Sequence, residues 1–232
     1  MHHRLFHALL YTLMGIMGVL GVFLVLWSGD WTRRWMKFYA RSAMRFARLV
    51  YGIETEIRGP VPTGDVLIAA KHQSMFDVLI IYQALPEARF VMKKSLLWVP
   101  VFGVYAWRTG AVPIDRRPRH GAAEDLAETF RGKTGQIVIY PQGTRVPPGK
   151  HAPYRRGIVR VADATHRPIV PAATNAGVFW GRDGKMAGPG TTVVEFFESL
   201  DGSLASSEMM EQLETQVEAA TDALVAEALE TL

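Results

Sequence analysis

Val66-Leu-Ile-Ala-Ala-Lys-His72-Gln-Ser-Met-Phe-Asp77 runs from an apolar, β-branched stretch into a histidine, with an aspartate five residues later. Residues 66–70 read as a short, uninterrupted buried strand. Ser74 reads as a helix N-cap, with Met75, Phe76 and Asp77 in the first turn. On one ideal helix, residues five apart point about 140° away from each other. His72 is therefore expected on the loop, with Asp77 reaching back to it from the helix. The helix dipole favours a carboxylate at that end. Strand, polar loop and capped helix together make one unit of an α/β fold. His120 and Asp125 repeat the spacing. That copy follows Arg116-Arg-Pro-Arg, with no strand before it, and is read as coincidence. A histidine at a strand end can also be purely structural, since a general base needs both geometry and pKa to be right.

Outward from this run, strand-like and helix-like segments alternate from Ile53 on. Strands are expected at 53–58, 66–70, 89–92, 136–140, 168–174 and 191–197. Helices are expected at 75–84, 121–131, 155–165 and 207–229. This alternation predicts an α/β domain with a mostly parallel sheet flanked by helices. In the last helix Met210, Leu213, Val217, Leu224 and Ala228 would face the core, and the acids water.

Such sheets bind ligands beyond the carboxyl ends of their strands, and polar groups gather at those positions. Lys93 and Lys94 follow the 89–92 run, and Arg116 ends a short apolar run from Gly110. Pro141-Gln-Gly-Thr-Arg145 follows the 136–140 run. Gly143 lets backbone approach a ligand closely, Thr144 offers a hydroxyl and an amide, and Arg145 can hold two oxygens at once, a set that suits a phosphate. Gly-Thr-Arg alone would be an ordinary turn. Its place at the same sheet edge as His72 and Arg116 favours the binding reading.

The chain has 232 residues, 49% of them hydrophobic, enough for one sizeable core. It has no cysteine, which excludes disulfides, thiolate catalysis and Cys-ligated metals. The seven histidines include no His-Glu-x-x-His pair or similar spacing, so no metal site is expected. The net charge of +4 is unevenly spread: residues 186–232 carry −10, and the rest +14. The basic part suits a phosphate-bearing partner. Its cations concentrate near the N-terminus and form no nucleic-acid motif, so lipid headgroups are preferred to nucleic acid.

Residues 1–51 are read as a membrane-anchoring, helical unit ahead of a catalytic domain over 52–232. Residues 8–27 are uncharged and mostly apolar, long enough as one helix to cross a hydrocarbon core of about 30 Å. Crossing the bilayer and entering one leaflet are both compatible with this stretch. Gly15, Gly18 and Gly21 offer places where another helix could approach. Over residues 31–51, Trp31, Trp35, Phe38, Ser42, Phe46 and Leu49 recur at helical spacing, while Arg34, Lys37, Arg41, Arg45 and Arg48 recur on another face. This is the pattern of an interfacial helix on anionic lipid. The positive-inside rule places the basic side and the catalytic domain on the cytoplasmic face of the inner membrane.

Four blocks, in order, carry a resemblance: Lys71-His-Gln-Ser-Met-Phe-Asp77, Gly110 with Ile114-Asp-Arg116, Tyr140-Pro-Gln-Gly-Thr-Arg145, and Pro168-Ile-Val-Pro171-Ala. With them the chain resembles the glycerophospholipid acyltransferases, in particular the bacterial 1-acylglycerol-3-phosphate acyltransferases. The resemblance implies that His72 takes the proton from the sn-2 hydroxyl of lysophosphatidic acid and that Asp77 holds the imidazole. The hydroxyl then attacks an acyl thioester, acyl-CoA or acyl carrier protein, with no cofactor. Arg116, Gly143, Thr144 and Arg145 would hold the glycerol phosphate and Pro171 would shape the pocket wall. Lys93 or Lys94 would assist the oxyanion. Membrane lipids are the other implied partners. The third block usually reads Glu-Gly-Thr-Arg, and here Gln142 replaces the glutamate, which removes a negative charge beside the phosphate site. The alternatives are transfer to another lysophospholipid or lyso-aminolipid, and a non-catalytic lipid-binding module.

Overall fold

The computed structural model describes residues 2–115, 128–130 and 132–232. Arg116, His120, Asp125 and most of the helix expected at 121–131 lie outside the described residues. Among the described residues seven strands form one sheet: β1 (Ile53–Arg58), β2 (Leu67–Ala70), β3 (Arg89–Lys93), β4 (Val112–Ile114), β5 (Ile137–Ile139), β6 (Ile169–Thr174) and β7 (Gly190–Phe196). Their order is β1-β7-β6-β2-β5-β3-β4. The β6–β7 pair is antiparallel and the other neighbours are parallel, so the sheet is mostly parallel as expected.

The apolar run that predicted β2 sits in the centre of this sheet, with Ile68 in register with Val138 on one side and Val170 on the other. All four residues of β2 are buried because both sheet faces are covered. Ile68 and Ala70 join a core with Phe76, Ile80 and Ile81 of α4 (Met75–Ala84) and Ala43 and Ala47 of α3 (Gly29–Tyr51). Leu67 and Ala69 face the opposite core, built by Ile158 and Val161 of α6 (Gly157–Thr165) and Leu213 and Val217 of α8 (Ser206–Glu230), the short α7 (Ala176–Phe179) lying between these two helices in the chain. Side chains alternating along one strand thus anchor two helical layers.

The apolar N-terminal stretch is divided between α1 (His2–Leu20) and α2 (Val22–Trp27). Among the described residues no helix is long and apolar enough to cross a membrane. The division falls at Gly21, where a Cβ would collide with the Tyr105 hydroxyl and the Trp35 indole. These two side chains donate to the Met17 carbonyl, Trp35 Nε1 at 2.9 Å and Tyr105 at 3.2 Å. Gly18 is likewise packed, its notional Cβ 2.7 Å from Val101, whereas Gly15 meets nothing. The partner that comes close is the segment with the 3-10 turn Lys94–Trp98 and α5 (Phe102–Arg108), elements not expected from the sequence.

In α3 the inward residues are small, Thr32, Ala40, Ala43 and Ala47, which lets it lie close on α4. Trp31, Phe38 and Leu49 of the expected apolar stripe are exposed, while Trp35, Ser42 and Phe46 are half-buried. The last helix buries Met210, Leu213, Val217, Leu224 and Ala228 as expected. Its acids do not all face water, however. Glu218 is buried, with its carboxylate 2.6 Å from the ammonium of Lys71. The physical reason is that Lys71, 1% exposed at the end of the central strand, requires a counter-charge from the helix packed over it.

Candidate active site

β2 ends at Ala70, and the ladder continues one step as the Lys71 amide bonds the Ala172 carbonyl at 2.9 Å. The chain then leaves the sheet at His72 and re-enters regular structure at Ser74. Ser74 caps α4 by accepting from the Phe76 amide at 3.0 Å. Asp77 completes a capping box, its Oδ2 accepting from the amides of Ser74 at 2.6 Å and Gln73 at 2.8 Å.

That leaves Oδ1, which faces back over the loop. His72 Nδ1 lies 2.9 Å from it. Donation from Nδ1–H to the carboxylate fixes the tautomer and leaves Nε2 as the proton acceptor. The Tyr140 hydroxyl donates to the same oxygen at 3.0 Å. The Tyr140 ring stacks on the imidazole with centroids 4.0 Å apart. Asp77 is fully buried and accepts four hydrogen bonds, while the His72 side chain keeps 15% of its surface exposed. Burial first, and the adjacent Asp77 carboxylate second, push the Tyr140 phenol well above the usual tyrosine range, so it acts here as a neutral donor. A buried, doubly anchored carboxylate behind a partly open imidazole is the arrangement of a general base with its orienting group.

The turn after β5 lies against this pair, since the Val146 amide bonds the His72 carbonyl at 2.8 Å. Gly143 has φ of 71°, and its amide bonds the Tyr140 carbonyl at 2.9 Å. A Cβ there would meet the Arg155 guanidinium at 3.2 Å. Thr144 is exposed and Arg145 half-buried. The turn therefore carries Arg145 and the Thr144 hydroxyl next to the His72 loop, with Arg155 of a later segment packed against Gly143. Pro171 is buried in β6, in register with Ala69 of β2. Lys93 and Lys94 are exposed at the end of β3, two strands from β2. Among the described residues no group of three or more His, Cys, Asp or Glu stands ready to hold a metal.

Tyr140 stands in the third block, but its place before a proline gives no hint of where the hydroxyl points. Lys71 and Glu218 are likewise not evident as site residues from their own positions. The signal in the sequence is a lysine closing an apolar strand, matched by a glutamate directly after Val217 on the buried stripe of the last helix.

Residues 52–175 match the Acyltransferase family. The 1-acyl-sn-glycerol-3-phosphate acyltransferase of Pseudomonas aeruginosa is 30% identical over 188 residues, which is 77% of this chain and 73% of that one. The Escherichia coli protein of the same name is 32% identical over 148 residues, 60% of each chain. The matched stretch thus spans less than two thirds of the E. coli relative. The crystal structure of the 1-acyl-sn-glycerophosphate acyltransferase from Thermotoga maritima superposes with a TM-score of 0.78 over 97% of both chains at 18% identity, a likeness of fold. By the match over residues 52–175 and the P. aeruginosa relative, the chain belongs to the Acyltransferase family.

Proposed function

We infer that this chain is a 1-acylglycerol-3-phosphate O-acyltransferase. It transfers an acyl group from a thioester to the sn-2 hydroxyl of 1-acyl-glycerol-3-phosphate, giving phosphatidic acid. The observation that carries the reading is the His72–Asp77 pair, with Nδ1 held at 2.9 Å and the other nitrogen left to act as base. The names of the relatives from P. aeruginosa and E. coli support the acceptor.

In this reading His72 Nε2 takes the hydroxyl proton as the hydroxyl oxygen bonds to the thioester carbonyl carbon. Asp77 stabilises the imidazolium that forms. The tetrahedral intermediate collapses, the carbon–sulfur bond breaks, and the imidazolium returns its proton to the departing thiolate. Arg116, Gly143, Thr144 and Arg145 hold the glycerol phosphate, and Pro171 forms part of the pocket wall. Lys93 or Lys94 assists the oxyanion. Acyl-CoA or acyl carrier protein serves as co-substrate, and no cofactor is needed.

Residues 1–51 hold the catalytic domain, 52–232, against the cytoplasmic face of the inner membrane. Support comes from apolar side chains left in the open. Trp27 at the end of α2, Trp31 in α3, Trp98 at the end of the 3-10 turn and Trp107 in α5 are 81%, 49%, 85% and 67% exposed. Arg34, Arg41 and Arg45 of α3 are exposed as well. Aromatic rings with arginines suit the headgroup region of anionic lipid.

The test is an assay with labelled lysophosphatidic acid and acyl thioester. Wild type is expected to form phosphatidic acid and His72→Ala to lose nearly all turnover. Equal rates would remove His72 from the chemistry. Arg145→Ala is expected to raise the acceptor KM, and an unchanged value would take Arg145 out of the phosphate site.

A further inference from the structure

We propose that Glu218, on the C-terminal helix, is a positioning residue for the acyl-transfer site. It acts through Lys71 and Gln142. The inference rests on the transferase reading above and extends it to a helix that begins after the last of the motifs, Pro168–Ala172.

Four side chains from three segments converge on this carboxylate. Lys71, the residue before His72, brings its ammonium to within 2.8 Å of Oε1 and 2.6 Å of Oε2. Gln142, the residue before Gly143, donates its amide to Oε1 at 3.2 Å. Tyr154 donates its hydroxyl to Oε1 at 2.8 Å. His151 Nδ1 lies 2.7 Å from Oε2. Lys71 and Gln142 each adjoin a residue of the site, on different loops. Both are bound to one oxygen of one side chain, so the catalytic loop and the phosphate turn cannot shift relative to each other without breaking a buried, charged contact.

The burial matters. Lys71 is 1% exposed and the Glu218 side chain 11%, so the pair is only weakly screened by solvent. A buried ion pair is weak evidence for net stability, because desolvation offsets the attraction. Its value lies in fixing geometry, and here that geometry is the spacing between His72 and the 143–145 turn. The glutamate that Gln142 replaces would have put the negative charge on the turn itself. In this chain the charge comes from α8 and Gln142 serves as a donor to it. The consequence concerns α8: its docking on β6 and α6 is part of the site's construction.

The experiment compares wild type, Glu218→Gln, and the double variant Lys71→Met with Glu218→Gln, by steady-state kinetics and thermal melting. Wild type must acylate lysophosphatidic acid. If it does not, the transferase reading fails, independently of Glu218. The expected result for Glu218→Gln is a tenfold or greater loss of kcat with a severalfold rise in KM for lysophosphatidic acid and an unchanged KM for the thioester. A merely structural defect would lower the active fraction and leave both KM values alone. The double variant removes both buried charges, so its melting temperature is expected to return towards wild type while kcat and the acceptor KM remain impaired. If the melting temperature and the kinetics recover together, or if Glu218→Gln turns over as wild type, the proposal is overturned. Should Glu218→Gln fail to fold, the double variant decides alone.

Discussion

Tyr140 donates its hydroxyl to Asp77 at 3.0 Å, on the same oxygen that His72 Nδ1 approaches at 2.9 Å. The imidazole is thus fixed twice, by the shared carboxylate and by the tyrosine ring stacked on it at 4.0 Å. Tyr140→Phe keeps the stack and removes one of the four hydrogen bonds to Asp77. A hydrogen bond to a charged group is worth about 1.5–3 kcal/mol. If only part of it is felt in the transition state, kcat falls about tenfold, since about 1.4 kcal/mol is tenfold in rate. Both KM values stay near wild type. Steady-state kinetics check this, and an unaltered kcat would leave Tyr140 a packing residue.

Asp77 joins two tasks that substitution can separate. Its Oδ2 closes the capping box of α4 and its Oδ1 holds His72. Ser74→Ala removes only the side-chain half of the cap, the bond from the Phe76 amide. It is expected to cost about 1 kcal/mol of stability and little activity, because the Ser74 amide still anchors Asp77. Asp77→Asn presents an amide to the imidazole and favours the wrong tautomer. By analogy with serine hydrolases, kcat is expected to fall by about 10³–10⁴. Denaturant melts and rates measured on both variants give the comparison. Comparable rate losses in the two would mean that Asp77 acts only as a cap.

What the sequence made legible was local. The β2 run, the Ser74 cap and Asp77 lie within twelve residues, and strand, turn and helix signals all operate at that range. Strand boundaries fell within a residue of those expected because both faces of the central strands are covered and the apolar runs are continuous. Tyr140, Lys71 and Glu218 were not legible as a site, because each is defined by a partner between 63 and 147 positions away. The division at Gly21 was hidden for a similar reason. An apolar stretch reads as one helix until Trp35 and Tyr105 are seen bonded to the Met17 carbonyl. The charge at Glu218 ran against the helix periodicity, which assigns acids to water unless a buried cation is known to face them.

The tyrosines of the site make stability sensitive to alkali. Tyr140 and Tyr154 both have phenols raised above the ordinary 10.0, each by burial first and by a neighbouring carboxylate second, Asp77 for one and Glu218 for the other. A raised value means the folded state favours the neutral phenol. The contribution is therefore complete below pH 10.0 and is lost as pH rises above it, where the unfolded chain ionises first. Unfolding free energy is expected to decline above about pH 10, and Tyr154→Phe to decline less steeply. Urea melts from pH 8 to 11 would show it, and parallel curves for the two proteins would contradict the assignment for Tyr154.

Gly143 tests the proposed phosphate role of its turn without removing a charge. Its φ of 71° disfavours any side chain, and a Cβ would press on Arg155 at 3.2 Å. Gly143→Val adds β-branching in that region and is expected to distort the turn, costing about 1–3 kcal/mol. The acceptor KM should rise more than the thioester KM. A rise confined to the thioester would place the donor, not the phosphate, at this turn.

The proposed membrane surface is separable from the proposed chemistry, because Arg41 and Arg45 lie on the exposed face of α3, away from the helix contacts made by Ala40, Ala43 and Ala47. Each cation near an anionic bilayer is worth about 1 kcal/mol. Arg41→Gln with Arg45→Gln is therefore expected to weaken binding to phosphatidylserine-containing vesicles more than tenfold at low salt, with a smaller loss at high salt where charge is screened. Turnover of lysophosphatidic acid presented in detergent micelles should persist. Trp98→Ser acts on the apolar part of the same surface, so its effect on vesicle binding should survive high salt. Sedimentation with vesicles across a salt series distinguishes the two contributions. Undiminished binding of the double arginine variant at low salt would move the contact away from α3.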